Sequence, residues 1–328
     1  MVFGGRTKTI TLFIEYYERQ FVAHSRSWAN IFHLSLLAVI IILPFILTFQ
    51  AGTFWAKQDI YQEQAQVKFT NQVYLNLMFT NPITQQSDSY VYSTSRNINN
   101  QVQNLLSPPT VQSSSQDFDR DGLNERFNIS IRIRKPAAGL LLNQATVIAG
   151  FNYKTIGVVD MEMESLAIMQ QNIPTYNSNP VTSLKAVGSL DFKQLYPLRR
   201  TRGVRSLYND NLFSYLEYES LHTFLNRYTI GRNETTVYKH QVFTQRGLSS
   251  QNFIDINMVV NIPTYQDILY IPDVWEVLKF AWIQYYSFLL LIYVFLYHFF
   301  YGFIIKNKVY ESIEITSINL KNLSKRFY

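Results

Sequence analysis

Two long apolar runs without a formal charge, residues 29–49 and 280–305, bracket a mostly polar middle segment. No Asp, Glu, Lys or Arg falls between Arg26 and Lys57, or between Lys279 and Lys306. At ~1.5 Å per residue, either run is long enough as a helix to cross a hydrocarbon core of ~30 Å. One Lys or Asp at the bilayer centre costs ~2.5–3.5 kcal/mol on insertion scales, so the absence of charge is what a spanning helix requires. The competing reading, a buried helix of a soluble domain, normally retains a polar face toward water. Pro44 removes a backbone donor inside the first run and is expected to kink or shorten its outer end.

A cleaved signal peptide would have an apolar core of only ~7–15 residues followed by an A-x-A-like site. Ala51 would need a small residue at position 49, which is Phe49, so the first run reads as a retained signal anchor. Orientation follows from the flanks, because a long loop translocates largely regardless of its own charge. Arg6, Lys8, Arg19 and Arg26 outweigh Glu15 and Glu18 by +2 in the first tail. Lys306, Lys308, Lys321, Lys325 and Arg326 outweigh Glu311 and Glu314 by +3 in the second. Of the chain's net +6 only +1 remains for the middle, so the basic excess is a topology signal and no nucleic-acid partner is expected. The expected organisation is a cytosolic tail 1–28, a membrane helix 29–49, an extracellular domain 50–272, a juxtamembrane and membrane helix 273–305, and a cytosolic tail 306–328. The partners this layout implies include membrane lipids.

The middle segment has the length of a full domain and no cysteine, so disulfides cannot staple it. Its apolar residues alternate. Val67, Phe69, Val73, Leu75, Leu77 and Phe79 hold one such pattern, interrupted at Asn71; Phe127, Ile129, Ile131 and Ile133 hold another without a fault. Val147, Ala149, Phe151 and Tyr153 repeat it, as do Ile254, Ile256, Met258, Val260 and Ile262. Alternation puts one face on a core and the other in water, as in an antiparallel sheet. Leu221, Phe224, Leu225 and Tyr228 recur at helical spacing, predicting a helix over 216–228, whereas the Gln-, Asn- and Ser-rich stretch 81–116 predicts a mobile loop. The predicted fold class is a membrane protein with two transmembrane α-helices flanking a mainly β, sandwich-like extracellular domain.

Several motifs carry chemistry. Asp117, Asp119, Asp121 and Glu125 place oxygen ligands at alternate positions around Gly122, the pattern of a loop for a hard cation such as Ca²⁺. Position twelve is Asn128 rather than a bidentate Glu, so this is no EF-hand; a polar turn before strand 127–134 is the first reading, with a weak structural Ca²⁺ site as the alternative and no cofactor required. Asn128-Ile129-Ser130 and Asn233-Glu234-Thr235 are sequons on the expected outer side, whereas Asn322-Leu323-Ser324 lies in a cytosolic tail and should stay bare. Arg199, Arg200, Arg202 and Arg205 form the densest basic cluster, read as a solvated loop ahead of a lipid patch or a cleavage site. Asp160, Glu162 and Glu164 alternate as on the wet face of a strand. His24, His33, His222, His240 and His298 show no metal spacing, and no nucleophile-elbow or P-loop motif occurs, so catalysis is not expected.

The second apolar run is more polar than an anchor needs. Asp273, Glu276 and Lys279 recur every third residue at its outer end, and Trp275 and Trp282 suit the membrane interface. Inside it lie Gln284, Tyr285, Tyr286, Tyr293, Tyr297, His298 and Tyr301. Polar side chains in hydrocarbon usually face a partner helix, so Trp275, Glu276, Lys279, Trp282, Gln284 and Tyr285 are candidate assembly residues.

The block Val274-Trp275-Glu276-Val277-Leu278-Lys279-Phe280-Ala281-Trp282-Ile283-Gln284-Tyr285 resembles the signature of the transmembrane protein 231 family. Phe54-Trp55-Ala56-Lys57, Tyr61-Gln62-Glu63-Gln64 and Val67-Lys68-Phe69 are similar to the start of that family's outer domain. Pro109-Thr110-Val111, the Asp117–Gly122 loop and Arg232-Asn233-Glu234-Thr235-Thr236-Val237 follow in the family's order, with weaker matching over 155–215 and the tails. The resemblance implies a structural role at the ciliary transition zone. There such a protein, with other transition-zone membrane and Meckel-syndrome complex proteins as partners, helps build a diffusion barrier that controls entry of ciliary membrane proteins. A two-span oligomeric ion channel or a cell-surface receptor with a large outer domain is the alternative on topology alone.

Overall fold

Two hydrophobic patterns of different period build two compact units in this chain, Met1–Ala56 with Val274–Tyr328 and Lys57–Asp273. The computed structural model describes residues 19–22, 27–52, 54–137, 139–174, 179–200, 205–206, 208, 211–247, 252–310 and 313–316. Most of the tail charges, Arg202 of the basic cluster and the Asn322 sequon lie outside the described residues.

The first elements are β1 (Arg19–Val22), α1 (Trp28–Gln50), β2 (Asp59–Glu63), β3 (Gln66–Thr80), β4 (Ser87–Ser93) and α2 (Arg96–Gln101). Then come β5 (Thr110–Gln116), β6 (Arg126–Arg134), β7 (Leu141–Thr155), β8 (Met161–Asn172), β9 (Val181–Gln194), β10 (Leu198–Arg199) and β11 (Arg205–Ser206). Two short helices follow, α3 (Leu212–Tyr215) and α4 (Leu221–Thr229), before β12 (Glu234–Arg246), β13 (Phe253–Asn261) and β14 (Gln266–Ile271). The chain continues through α5 (Val274–Tyr293), a π-helical segment (Val294–Tyr301), α6 (Gly302–Lys306) and β15 (Ile313–Thr316).

Trp28–Gln50 and Val274–Lys306 are each long and apolar enough to cross a membrane. Ser27 caps α1, its Oγ accepting the Asn30 N–H at 3.4 Å. The expected shortening at Pro44 does not occur, since α1 continues to Gln50. Thr48 Oγ1 donates to the Pro44 carbonyl at 2.9 Å, as a hydroxyl does where no water competes for it. β1 and β15 pair antiparallel, joining Arg19 to Thr316 and Val22 to Ile313 across segments the sequence presents only as tails.

In the second unit two five-stranded sheets, ordered β11-β8-β7-β3-β4 and β12-β9-β13-β6-β5, enclose one core; a third sheet runs β10-β14-β2. Their inward faces are the alternating residues of the sequence: Leu75 and Leu77 on β3, Ile129, Ile131 and Ile133 on β6, and Ile256 and Met258 on β13. Each such side chain contributes ~1.5–3 kcal/mol on full burial. The sheets are not wholly antiparallel, because β13 runs parallel to β9 from Asp255↔Ser183 to Asn261↔Ser189. β7 is buried on both faces: Val147 and Ala149 point into the sandwich, whereas Ile148 packs with Leu166, Phe213, Phe224 and Tyr228 in a second cluster under α2, α3 and α4.

A buried hydroxyl fastens that helical layer. Tyr228 on α4 accepts the N–H groups of Leu166 and Thr236 at 3.0 Å each, and its hydroxyl meets Thr236 Oγ1 at 2.8 Å. Thr236 Oγ1 in turn donates to the Leu166 carbonyl at 3.0 Å, so β8, β12 and α4 share one network. Burial pushes the Tyr228 phenol above its ordinary value, which keeps it protonated for that role.

Two features correct the sequence reading. Residues 81–116, expected to be a mobile loop, supply β4, α2 and β5. β5 is an edge strand whose side chains are almost all exposed, so it needs little apolar content, and its pairing with β6 fixes it instead. The helix expected at 216–228 is shorter, because Ser220 caps α4 by accepting the Thr223 N–H at 3.3 Å. The fault at Asn71 does have a structural counterpart: Thr70, Asn71 and Gln72 bulge between Phe69↔Phe151 and Val73↔Ala149, with Asn71 at φ 60°.

Candidate functional site

At 3.6 residues per turn, Trp275, Lys279, Trp282, Tyr286 and Tyr293 fall on one face of α5. The opposite face holds Val277 and Ala281, both buried, where α5 packs beside α1. The aromatic face is open: Trp275 is 77 %, Trp282 64 %, Tyr286 57 % and Tyr293 44 % exposed. Two other predicted assembly residues, Gln284 and Tyr285, are half-buried, and Tyr285 donates its hydroxyl to the Ile41 carbonyl at 3.3 Å. Glu276 is also half-buried. The six candidates therefore divide: Trp275, Lys279 and Trp282 face outward, whereas Tyr285 serves the intramolecular hairpin.

Farther along, Tyr293, Tyr297 and Tyr301 stack with ring centroids 5.1 and 5.4 Å apart. In an α-helix a four-residue step drifts by about 40° of rotation, whereas the wider π turn brings the fourth residue nearly back into line. His33 of α1 leans on this stack, 5.1 Å from the Tyr301 ring, and Phe32 stacks on Tyr310 at 4.9 Å. The one trace of the π turn in the sequence is the four-residue spacing of Tyr293, Tyr297 and Tyr301. His298 is exposed, edge-on to Phe299 at 5.7 Å.

The acidic loop closes on itself. Asp117 accepts the N–H groups of Arg120 at 2.6 Å and Gly122 at 3.0 Å, and Asp121 that of Leu123 at 2.7 Å. Glu125 accepts from Phe118 N–H at 2.6 Å and from Gln64 Nε2 at 3.1 Å. One oxygen from each of Asp117, Asp119, Asp121 and Glu125 lies within 4.8 Å of the others. The Asp119 carboxyl is raised above its ordinary value: the Asp121 N–H lowers it, but desolvation and repulsion from Asp121, Glu125 and Asp117 outweigh that bond. Gly122, at φ 88°, supplies the left-handed turn the loop requires.

The two sequons differ. Asn128 sits mid-strand on β6 between Ser114 of β5 and Val259 of β13, and among the described residues its amide makes no hydrogen bond. Asn233 pins the turn after β9: its Oδ1 accepts the Tyr196 N–H at 2.7 Å, and its Nδ2 donates to the Tyr196 carbonyl at 3.3 Å and to Glu234 Oε1 at 2.7 Å. In the basic cluster, Arg199 pairs across β10 with Ile271 of β14, and Arg199, Arg200 and Arg205 are exposed. Glu164 is engaged rather than simply wet, accepting the Leu212 N–H at 2.6 Å at the start of α3.

A family model described as Transmembrane protein 231 matches residues 7–314. Transmembrane protein 231 of Homo sapiens is 27 % identical over 314 residues, 93 % of this chain and 94 % of that protein. Transmembrane protein 231 of Mus musculus is 28 % identical over 312 residues (93 % and 94 %), and that of Xenopus tropicalis 27 % over 293 residues (88 % and 89 %). A solved structure titled "Cryo-EM structure of a proton-activated chloride channel" aligns at a TM-score of 0.27 and 6 % identity over 80 % of this chain and 93 % of that one, too low to carry an argument. With two spans of the required length around a mainly β domain and a match along nearly its whole length, the chain belongs to the transmembrane protein 231 family.

Proposed function

We propose that this chain is a structural, non-catalytic membrane component of the ciliary transition zone. It helps assemble the Meckel-syndrome complex and the diffusion barrier that controls entry of membrane proteins into the cilium. The observation that carries the reading is the family match over residues 7–314. The geometry supports it with an open aromatic face on α5 that the hairpin itself leaves unused. The natural occupant of that face is a transmembrane helix of another transition-zone protein, with lipid filling the remainder. The basic excess of the two tails supports a topology with both termini in the cytosol and the sandwich outside. On that topology Asn128, with its free amide, is the glycan acceptor, whereas a glycan on Asn233 would displace a hydrogen bond that holds Tyr196. A tagged copy expressed in ciliated cells is expected to form a ring between basal body and axoneme. Uniform plasma-membrane signal in cells whose endogenous barrier is intact would contradict the reading.

Asp117, Asp119, Asp121 and Glu125 would hold Ca²⁺ in the ~10⁻⁴–10⁻³ M range of extracellular modules and brace the turn that launches β6. Mass action gives ~1.4 kcal/mol at a calcium concentration about tenfold above the dissociation constant. For a domain of this size that is a rise of ~3–6 °C in the melting temperature of the full chain in detergent. The shift should vanish in Asp121→Asn. It should also fade as pH falls through the carboxylate range and the ligands protonate, with Asp119, whose value is raised, among the first. Superimposable melts in calcium and in chelator would remove the site.

A further inference from the structure

The solvent face of the β12-β9-β13-β6-β5 sheet carries a polar trough of about 500 Å³ beside Asn128. Its centre is formed by Gln112 of β5, Ser130 and Arg132 of β6, and Asp255 and Asn257 of β13. The pairing register aligns Gln112, Ser130 and Asn257 in one row across three strands, and Thr110, Arg132 and Asp255 in the next. Arg132 Nε and Nη2 reach the Asp255 carboxylate at 2.8 and 3.2 Å, so the trough's two central charges cancel. Ser130 Oγ donates to Asn257 Oδ1 at 2.7 Å, which leaves the Asn257 amide hydrogens available. Among the described residues the side chains of Gln112 and Thr110 make no hydrogen bonds. The charges at the trough's centre are thus neutralised, with exposed Lys185 of β9 paired beside Asn257 at its margin, and a ligand rich in hydroxyl and amide groups finds donors and acceptors in rows.

Asn128 stands on the same face of the same strand, two positions before Ser130, a distance of ~7 Å along a strand. Its row is the least polar on the sheet: Val259 of β13 is its direct partner, and Val187 of β9 pairs with Val259. Sugars joined to the Asn128 amide would thus start over an apolar patch and meet the polar trough immediately beyond. We propose that the trough is the resting site of the chain's own Asn128 N-glycan, with the apolar faces of its first sugars over Val259 and Val187 and its hydroxyl and acetamido groups bonded by Gln112, Asn257 and the Arg132–Asp255 pair. The glycan would cover the sheet's solvent face and keep that face from pairing with other proteins. This rests on the proposal that Asn128 is glycosylated, which is measured separately.

The test uses the full chain purified in detergent from glycosylating cells. Glycopeptide mass spectrometry comes first: an unmodified Asn128 removes the glycosylation reading and this proposal with it. With the glycan present, its release by an amidase under native conditions is expected to be roughly tenfold slower than from Gln112→Ala/Asn257→Ala, a difference of ~1.4 kcal/mol in protection. Equal native release rates from two chains with the same melting temperature would show a glycan free in solvent and overturn the proposal. If the double variant melts early, Gln112→Ala alone, on the edge strand, replaces it, with severalfold faster release expected and an unchanged rate again overturning the proposal.

Discussion

Gly188→Ala is expected to destabilise the domain between the spans by about 3 kcal/mol or more, the upper end of what overpacking costs. Gly188 lies on β9 between two strands, opposite His240 of β12 and Val260 of β13. A Cβ there would stand 2.1 Å from the Lys239 carbonyl oxygen and 2.6 Å from the His240 Cα. Both are backbone atoms, so no side-chain rotation relieves the clash and β12 must move. β12 carries Thr236, whose N–H donates to the Tyr228 hydroxyl and whose Oγ1 meets it, so its displacement also strips hydrogen-bond partners from the network joining β8 to α4. Leaving one such buried group unpaired costs a further ~1–3 kcal/mol. Thermal or chaotrope unfolding of the full chain measures the effect, with Gly302→Ala as control, because a Cβ at Gly302 meets nothing within 4 Å. An unchanged unfolding midpoint in Gly188→Ala would mean that β9 and β12 are not paired in this register.

The parts of this fold that were legible in the sequence are those where one physical demand dominates. Bilayer solvation demands charge-free runs, and both spans stand out. A half-buried strand demands alternation, and β3, β6 and β13 show it, down to the bulge at Asn71. Legibility fails where two demands overlap. β7 is covered by the sandwich on one side and by helices on the other, so Ile148 and Val147 are both buried and the alternation alone conceals the helical layer. β5 is held by edge pairing, which asks nothing of its side chains, so Ser113, Ser114 and Ser115 read as loop. For the candidate membrane surface, composition identified the helix but not its faces. Polarity put Gln284 and Tyr285 beside Trp282, whereas the neighbouring α1 decides which of them face out. The pairing register, invisible in one dimension, is what sets Asn128 beside its trough.

Removing the outward aromatic face of α5 is expected to abolish assembly while leaving the molecule folded. Trp275, Trp282, Tyr286 and Tyr293 are all exposed, whereas the α5 side chains buried beside α1 are Val277 and Ala281. Interhelical hydrogen bonds in membranes contribute ~0.6–2 kcal/mol each, so one from each of the four indole N–H and phenol groups would supply ~2.4–8 kcal/mol, far beyond the ~1.4 kcal/mol that makes a tenfold change in association. Leucine at these four positions keeps the span apolar and preserves insertion. The inward pair serves as the contrast: Gln284→Leu with Tyr285→Phe should loosen the hairpin, by losing the bond to the Ile41 carbonyl, yet leave the outward face intact.

The most direct measurement is recovery of other transition-zone membrane proteins with tagged chains from ciliated cells, wild type against the four-leucine variant at equal surface expression. A structural component that assembles through α5 predicts at least a tenfold loss of co-purification in the variant. The ring at the ciliary base should disperse, while the melting temperature and the glycosylation state of Asn128 stay those of the wild type. Undiminished co-purification and a normal ring in the four-leucine chain would contradict the account, reducing the second span to an anchor and moving the specificity to the sandwich or the tails.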